Sequence, residues 1–483
     1  MVFKNSVKKI SGNIVDVLNS TTYSGTLEIS NGKIINIIKD NRSYDTFIIP
    51  GFIDSHIHIE SSMLLPSEFA RLAVTHGTVA IVSDPHEICN VMGINGVNYM
   101  IENSKAVPLK IYFGAPSCVP ATPFETSGAE INSAEIKNLF TNREIKCLSE
   151  MMNFTGVLNN DPEVMAKIRL AKEYGKLVDG HAPGLRGKDL KKYIRAGIST
   201  DHECTEKEEA IEKIKSGMKI QIREGAVAGN LDALSSLIED YPDDCMFCCD
   251  DKLPDDLTRG HINEIVKRSL NLGIDKMKAL KCACINPVLH YQLEVGLLQE
   301  NDYADFLEID NFHDLNILKT YINGEVVATN GKTLMPGIKA EIVNNFRVRN
   351  KEVSDFFVHP VRKLKPGKIN VIEAIDGQLI TNKLHAIPKI SNGNIVSDTD
   401  KDILKIVVVN RYQDVSPAIG FVKNFGLKKG AIASSVAHDS HNIIAVGVKD
   451  NDICRAVNMI IENKGGVCVI YDDVKEILPL PIA

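Results

Sequence analysis

Residues 50–63, Pro50-Gly51-Phe52-Ile53-Asp54-Ser55-His56-Ile57-His58-Ile59-Glu60-Ser61-Ser62-Met63, continue an apolar run that starts at Phe47 and set two histidines one residue apart. If Asp54 to Ile59 is extended, His56 and His58 share a face, because side chains alternate along a strand. Neutral imidazole is the commonest transition-metal ligand, so two on one face at the end of a buried strand make half of a metal site. A lone His-x-His also occurs at ordinary strand ends. Its meaning depends on what the rest of the chain brings to the same place.

Working outward, short apolar runs recur at 79–82, 110–113, 145–148, 177–178, 198–200, 219–222 and 245–248, which with 47–53 makes eight. Their spacing of ~20–40 residues suits a strand plus a helix, and such alternation implies a parallel sheet. Eight such units predict an α/β fold, a (β/α)8 TIM-like barrel, with a doubly wound open sheet as the alternative. In a barrel, chemistry sits at the C-terminal strand ends. The residues after the runs include His86 and Glu87, Glu150, His181, His202 and Glu203, Arg223, and Asp250 with Asp251. Of 13 histidines, His56, His58, His86, His181 and His202 all fall at these ends.

That convergence predicts a metal-dependent active site. Two ions held by His56, His58, His181, His202 and carboxylates would lower the pKa of a shared water and supply hydroxide near neutral pH. Glu150 is expected to bridge the ions. Asp250 is expected to bind metal and shuttle a proton, with Asp251 as the competing choice. His86 and Glu87 are expected to protonate the leaving group or hold substrate. Arg223 is expected either to bind a polar ring edge or an anion, or to form a structural ion pair.

The flanks read differently. Strand-like stretches at 12–17, 25–30 and 33–38, the last two joined by Asn31-Gly32, predict a small sheet, since Asn-Gly between apolar runs is a strong hairpin signal. Strands at 304–309, 317–320 and 321–327, with Asn323-Gly324, have the same texture. We therefore expect 1–49 and 300–345 to form one small β-domain, with the barrel (50–299) inserted in it. A C-terminal α+β domain (346–483) is expected to follow, with strands near 371–374, 403–409, 431–433, 442–448 and 467–471. Its stretch 434–442 carries His438, Asp439 and His441, expected to approach the barrel mouth and help close it.

Composition narrows the class. The chain has 483 residues, too many for one core, with 44% hydrophobic and 24% charged residues, as in globular proteins. A net charge of -7 argues against a nucleic-acid polymer as partner. No run approaches the ~18 apolar residues that cross a membrane, and no apolar segment follows the N-terminal lysines as in a secretory signal. Eleven cysteines, an odd number, fit a reducing cytoplasm. The clusters at Cys245, Cys248 and Cys249 and at Cys282 and Cys284 are expected to be structural thiols.

The segments PGFIDSHIHIESSM (50–63), SDPHEICNVMG (83–93), LSEMMNFTGVL (148–158), DGHAPGL (179–185), GISTDHE (197–203), IREGAVAGNL (222–231), CCDD (248–251) and VAHDSHNI (436–443) resemble the amidohydrolase superfamily. Within it they resemble the bacterial-type adenine deaminases. The resemblance implies hydrolytic deamination of adenine to hypoxanthine and ammonia in purine salvage. It implies a divalent metal pair, Mn(II) first, with Fe(II) or Zn(II) as alternatives. The ligands it implies are His56, His58, Glu150, His181, His202 and Asp250, with Asp250 moving protons and Glu87 or Glu203 assisting. His86, Arg223, His438, Asp439 and His441 are the substrate-binding candidates. Many superfamily members bridge their metals with a carboxylated lysine; here Lys146 lies inside the fourth strand run and Glu150 at its end, which favours the glutamate. Cys249 stands where a small hydroxyl residue is usual. A small-molecule substrate, a cytoplasmic location and a homo-oligomer, as a dimer, are expected. The alternatives are an amidohydrolase acting on another aminopurine or cyclic amide and, more remotely, an inactive metal-binding scaffold.

Overall fold

Phe52–His58, Thr78–Ser83, Lys110–Ala115, Ile145–Met151, Leu177–Gly180, Thr200–Asp201, Lys219–Arg223 and Cys245–Cys248 are the eight barrel strands in the computed structural model, which describes residues 7–226, 229–360, 367–376 and 380–482. The first five pair in sequence order as a parallel ladder, and so do the last three. A parallel bridge between Val178 and Ile198 joins the two runs. Asp250 and Asp251, just beyond the eighth strand, pair in parallel with Ile57 and His58 of the first and close the ring. A doubly wound sheet would leave first and last strands apart, so that alternative is excluded. The first and second strands are buried at every position, as parallel strands covered on both faces must be.

The run 47–53 turns out to be two strands. Phe47–Pro50 belongs to a flanking sheet, and the barrel begins at Phe52. Gly51 makes the crossing: a Cβ there would lie 2.3 Å from Cγ1 of Val79 on the second barrel strand. Only a residue without a side chain lets the backbone approach that closely.

The flanking sheet has eight strands in the order Lys332–Thr333, Glu325–Thr329, Ile317–Ile322, Phe306–Ile309, Phe47–Pro50, Lys8–Asp16, Thr21–Ser30 and Lys33–Lys39. Its seam is the antiparallel pairing of Phe47–Pro50 with Phe306–Ile309, which brings the two flanks of the barrel into one sheet. Both Asn-Gly turns have positive φ at each central residue, 51° and 77° at Asn31-Gly32 and 50° and 73° at Asn323-Gly324, as a tight hairpin requires. Ile14, Leu27, Ile34, Ile48, Phe306 and Tyr321 form its core.

Contacts divide the chain into two units, the first holding the barrel and this sheet. The second comprises Glu341–Ala483 together with Glu87–Gly96 and Val119–Glu130, segments that sequence order places inside the barrel. Asn345 Nδ2 donates to the Val91 carbonyl (3.1 Å) and Asn442 Nδ2 to the Thr126 carbonyl (2.8 Å), tying those segments in. The unit is built on an eight-stranded sheet: Thr381–Ala386, Ile369–Ala374, Ala418–Lys423, Ile403–Val409, Ile443–Gly447, Ala431–Ser434, Gly466–Tyr471 and Val474–Pro479. Helix Asp450–Asn463 buries Ile453, Val457 and Ile460 against Val407, Ile443 and Ile470 of the sheet. Of these strands, Thr381–Ala386, Ala418–Lys423 and Val474–Pro479 escaped sequence reading. Thr381–Ala386 and Val474–Pro479 are largely exposed edge strands, without a continuous apolar run to mark them.

All eleven cysteines are buried and free, and burial pushes the Cys245, Cys248, Cys249, Cys282 and Cys284 thiols upward, away from the thiolate form a metal would need. No helix among the described residues is long and apolar enough to cross a membrane.

Candidate active site

The first strand delivers His56 and His58 to the barrel mouth with their ring centroids 4.9 Å apart, so the shared face expected from alternation is present. The strand ends at His58, and a 3-10 turn begins at Ile59. The neighbouring strand ends complete the cluster. Glu150, near the end of the fourth strand, sits at its centre. Its Oε1 is 3.3 Å from His58 Nε2, and its Oε2 is 2.7 Å from His181 Nδ1 and 3.3 Å from His202 Nε2. Lys146 of the same strand instead places Nζ 5.3 Å from the Tyr112 ring centre.

Asp250 closes the other side, with Oδ1 3.3 Å from His56 Nε2 and 3.2 Å from His58 Nε2. Its φ of 60° lies in the left-handed region, uncommon for a side-chain-bearing residue and met more often at functional sites. Asp251 accepts a hydrogen bond from Ser61 Oγ instead, so the geometry separates two aspartates that sequence could not. Arg223 donates to Asp250 Oδ2 at 2.6 Å and pairs with Glu203, so the ion pair expected for it is formed. Glu203 Oε1 lies 3.4 Å from His202 Nε2. His86 Nδ1 is 3.0 Å from Asp84 Oδ2 and 3.6 Å from Glu150 Oε1.

Sequence reasoning gave Asp84 no role. Its backbone carbonyl lies 3.0 Å from His58 Nδ1 and can only accept, which puts a proton on Nδ1 and makes Nε2 the atom that faces the two carboxylates. Nothing in the sequence signals a backbone carbonyl; Asp84-Pro85-His86-Glu87 shows only the carboxylate, which meets His86.

Two observations test whether these side chains suit a cation. His56 Nε2 and both ring nitrogens of His202 are buried without a well-formed hydrogen bond among the described residues, although buried polar atoms are normally satisfied. The electrostatics agree. Burial works against charge on every group here. Even so, the charges and hydrogen bonds of His181, His202 and His58 hold Glu150 well below the usual carboxylate range, and His202, His56 and His58 do the same to Asp250. Burial also opposes the imidazolium of His58, yet Asp250 and Glu150 drive that ring well upward. The cluster draws positive charge to its centre, and its imidazole and carboxylate donors suit Mn, Fe or Zn. His56, His58 and Asp250 form one group of atoms able to hold a metal ion, and His56, Glu150 and His202 another.

The second unit contains a smaller cluster. Glu87 is fully buried, its Oε1 2.7 Å from His438 Nδ1 and its Oε2 3.0 Å from His441 Nε2. Burial would raise the Glu87 carboxyl, but both histidines outweigh it and hold it well below its ordinary value. Asp439 lies half-buried in the turn between the two histidines.

A closed parallel barrel with histidines and carboxylates gathered at its strand ends, in groups able to hold a metal ion, is the architecture of a barrel enzyme whose chemistry sits at that face. Residues 47–327 match the amidohydrolase family, and residues 378–483 match the adenine deaminase C-terminal domain. The chain is 51% identical to an adenine deaminase of Methanosarcina mazei, over 99% of this chain and 88% of that one. It is 52% identical to an adenine deaminase of Sulfurovum sp., over 98% and 87% respectively. Among solved structures it resembles a beta-aspartyl dipeptidase of Fervidobacterium islandicum AW-1 (TM-score 0.53, 16% identity, 69% of this chain and 100% of that one). It also resembles an adenosine deaminase of Xanthomonas campestris with bound zinc (TM-score 0.50, 12% identity, 68% and 94%), and these two likenesses concern the fold. The chain belongs to the amidohydrolase family.

Proposed function

We infer that this protein is a hydrolase that deaminates adenine, converting adenine and water to hypoxanthine and ammonia. The observation that carries the reading is identity of about one-half to adenine deaminases over nearly the whole chain, C-terminal domain included. In the reaction the C6–N6 bond breaks and a C6–O bond forms. A divalent ion pair bound at the site supplies Lewis acidity and lowers the pKa of a water toward neutrality.

The residue assignment is our proposal. His56, His58, Glu150, His181, His202 and Asp250 would hold the metal, with Glu150 at the centre of the set. Asp250 takes the proton from the attacking water and returns it toward the departing amine. Arg223 keeps that carboxylate in place, and Glu203, on the same guanidinium, assists. His86, Glu87, His438, Asp439 and His441 serve substrate and proton handling. Support comes from the distances around Glu150 and Asp250 and from the direct pairing of Glu87 with two imidazoles. Mn(II) is the proposed metal, a homodimer the proposed assembly and the cytoplasm the proposed location; the free thiols support the last.

The test is purified protein loaded with Mn(II), Fe(II) or Zn(II) in turn and offered a purine and pyrimidine panel, with ammonia and hypoxanthine quantified. Adenine is expected to be the preferred substrate. Folded, metal-loaded protein that releases no ammonia from adenine with any metal would overturn the reading. Light scattering checks the dimer.

A further inference from the structure

Behind the metal-site histidines lies a buried charge cluster that the reaction does not use directly. Lys213, on helix Lys207–Lys215, has no exposed side-chain surface. Its ammonium has three protons, and three acceptors surround it: the Ala182 carbonyl at 2.7 Å, Asp201 Oδ2 at 3.0 Å and Glu209 Oε1 at 2.6 Å. Glu209 lies one helical turn before Lys213, and the pair faces the barrel together.

Those acceptors are all attached to the two strand ends that carry His181 and His202. Ala182 follows His181 directly. Asp201 precedes His202, accepts the Ala182 N–H on Oδ1 (2.8 Å) and accepts the Glu203 N–H on Oδ2 (3.1 Å). Glu209 Oε1 also accepts the Gly184 N–H at 2.9 Å. One lysine therefore joins the loop after the fifth strand to the end of the sixth.

Stability is a weak reason for such an arrangement. Burying an ammonium and two carboxylates forfeits their hydration, and apolar residues of the same volume often serve stability equally well. What the ions add is fixed geometry, because removing any member leaves charges or donors without partners.

We propose that Lys213, with Asp201 and Glu209, is a positioning residue that holds His181 and His202 at the spacing the metal site requires. The inference rests on the metal-site reading above. It predicts that Lys213 acts on metal affinity and leaves adenine recognition alone.

The test uses full-length protein stripped of metal and titrated with Mn(II) against a chromophoric chelator. Lys213→Met is expected to bind Mn(II) about 10–100-fold more weakly, the usual effect of losing a group that orients metal ligands. Turnover should recover when Mn(II) is raised, with KM for adenine unchanged. Lys405→Met is the control. It breaks a comparably buried lysine–aspartate pair, Lys405 with Asp450, in the second unit, and should lower the melting temperature without changing Mn(II) affinity. A folded Lys213→Met that binds Mn(II) like the parent overturns the proposal.

If Lys213→Met does not fold, Glu209→Gln decides. It keeps an oxygen acceptor for the Gly184 N–H and the lysine but removes a charge, and about tenfold weaker Mn(II) binding is expected. Unchanged binding overturns the proposal. His202→Ala separates this inference from the site reading. If His202→Ala binds Mn(II) normally, the site reading fails; if it loses Mn(II) while the Lys213 and Glu209 variants keep it, only the positioning role fails.

Discussion

The barrel cluster and the Glu87 cluster are made of the same residue types, yet they solve different problems. In the second unit each oxygen of Glu87 has its own imidazole, at 2.7 and 3.0 Å, and the charges compensate directly. In the barrel, His56, His58, His181 and His202 gather round two carboxylates at 2.7–3.3 Å, and His56 Nε2 and both ring nitrogens of His202 are buried without a well-formed hydrogen bond among the described residues. Buried polar atoms without partners are costly, so an arrangement that retains them implies a group that satisfies them. A histidine–carboxylate cluster with lone pairs to spare is built for a cation. Glu87, His438 and His441 also form a group of atoms able to hold a metal ion, but with each oxygen already paired to its own imidazole we propose that this cluster holds or passes protons.

That contrast can be broken in several ways. The largest effect is expected from Glu150→Ala, which should abolish binding of Mn(II) and turnover together, as elemental analysis of the purified protein would establish. Metal retained at parental stoichiometry would remove Glu150 from the centre of the site. Asp250→Asn keeps the size of the side chain and removes its basicity. Turnover should fall about 10²–10⁴-fold, the usual contribution of a positioned acid–base group, in steady-state assays at saturating metal.

Glu87→Gln sharpens the comparison. It should lower turnover toward the smaller end of that acid–base range, about a hundredfold, with metal content unchanged. If it empties the metal site, the two clusters are not distinct in kind.

The smallest effect concerns histidines outside both clusters. Burial holds His76 and His290 down to about 4. Their folded values lie below the ordinary 6.5, so between pH 6.5 and about 4 the unfolded chain binds more protons than the native one. Stability should therefore fall as pH drops through that window, and His76→Gln with His290→Gln should flatten the decline in melting temperature between pH 7 and 5. An unaltered slope would show that other groups govern it.

Much of the candidate site was legible because a parallel barrel places its chemistry at a predictable point, the few residues after each apolar run. His56, His58, Glu150, His181, His202 and Asp250, our proposed metal ligands, were all picked out that way. Asp84 was harder, since it orients His58 through its backbone carbonyl, a group every residue has. Lys213 was invisible for another reason. On helix Lys207–Lys215 it reads as one of several solvated charges, and only the fold turns its face inward. The edge strands Thr381–Ala386 and Val474–Pro479 escaped because exposed edge strands need no apolar run.

By itself the sequence determined the eight-fold alternation of strand and helix, the pairing of both flanks into one sheet, and the identity of the side chains at the strand ends. These follow from local periodicity and turn chemistry, which a chain carries wherever it goes. Tertiary structure alone decided that Asp250 rather than Asp251 meets the histidines, that Arg223 pairs with carboxylates, that Glu87 sits between His438 and His441, and that Lys213 is buried. Each of those outcomes depends on which distant backbone a side chain meets within about 3 Å, the reach of a hydrogen bond, and no pattern along the chain encodes that distance.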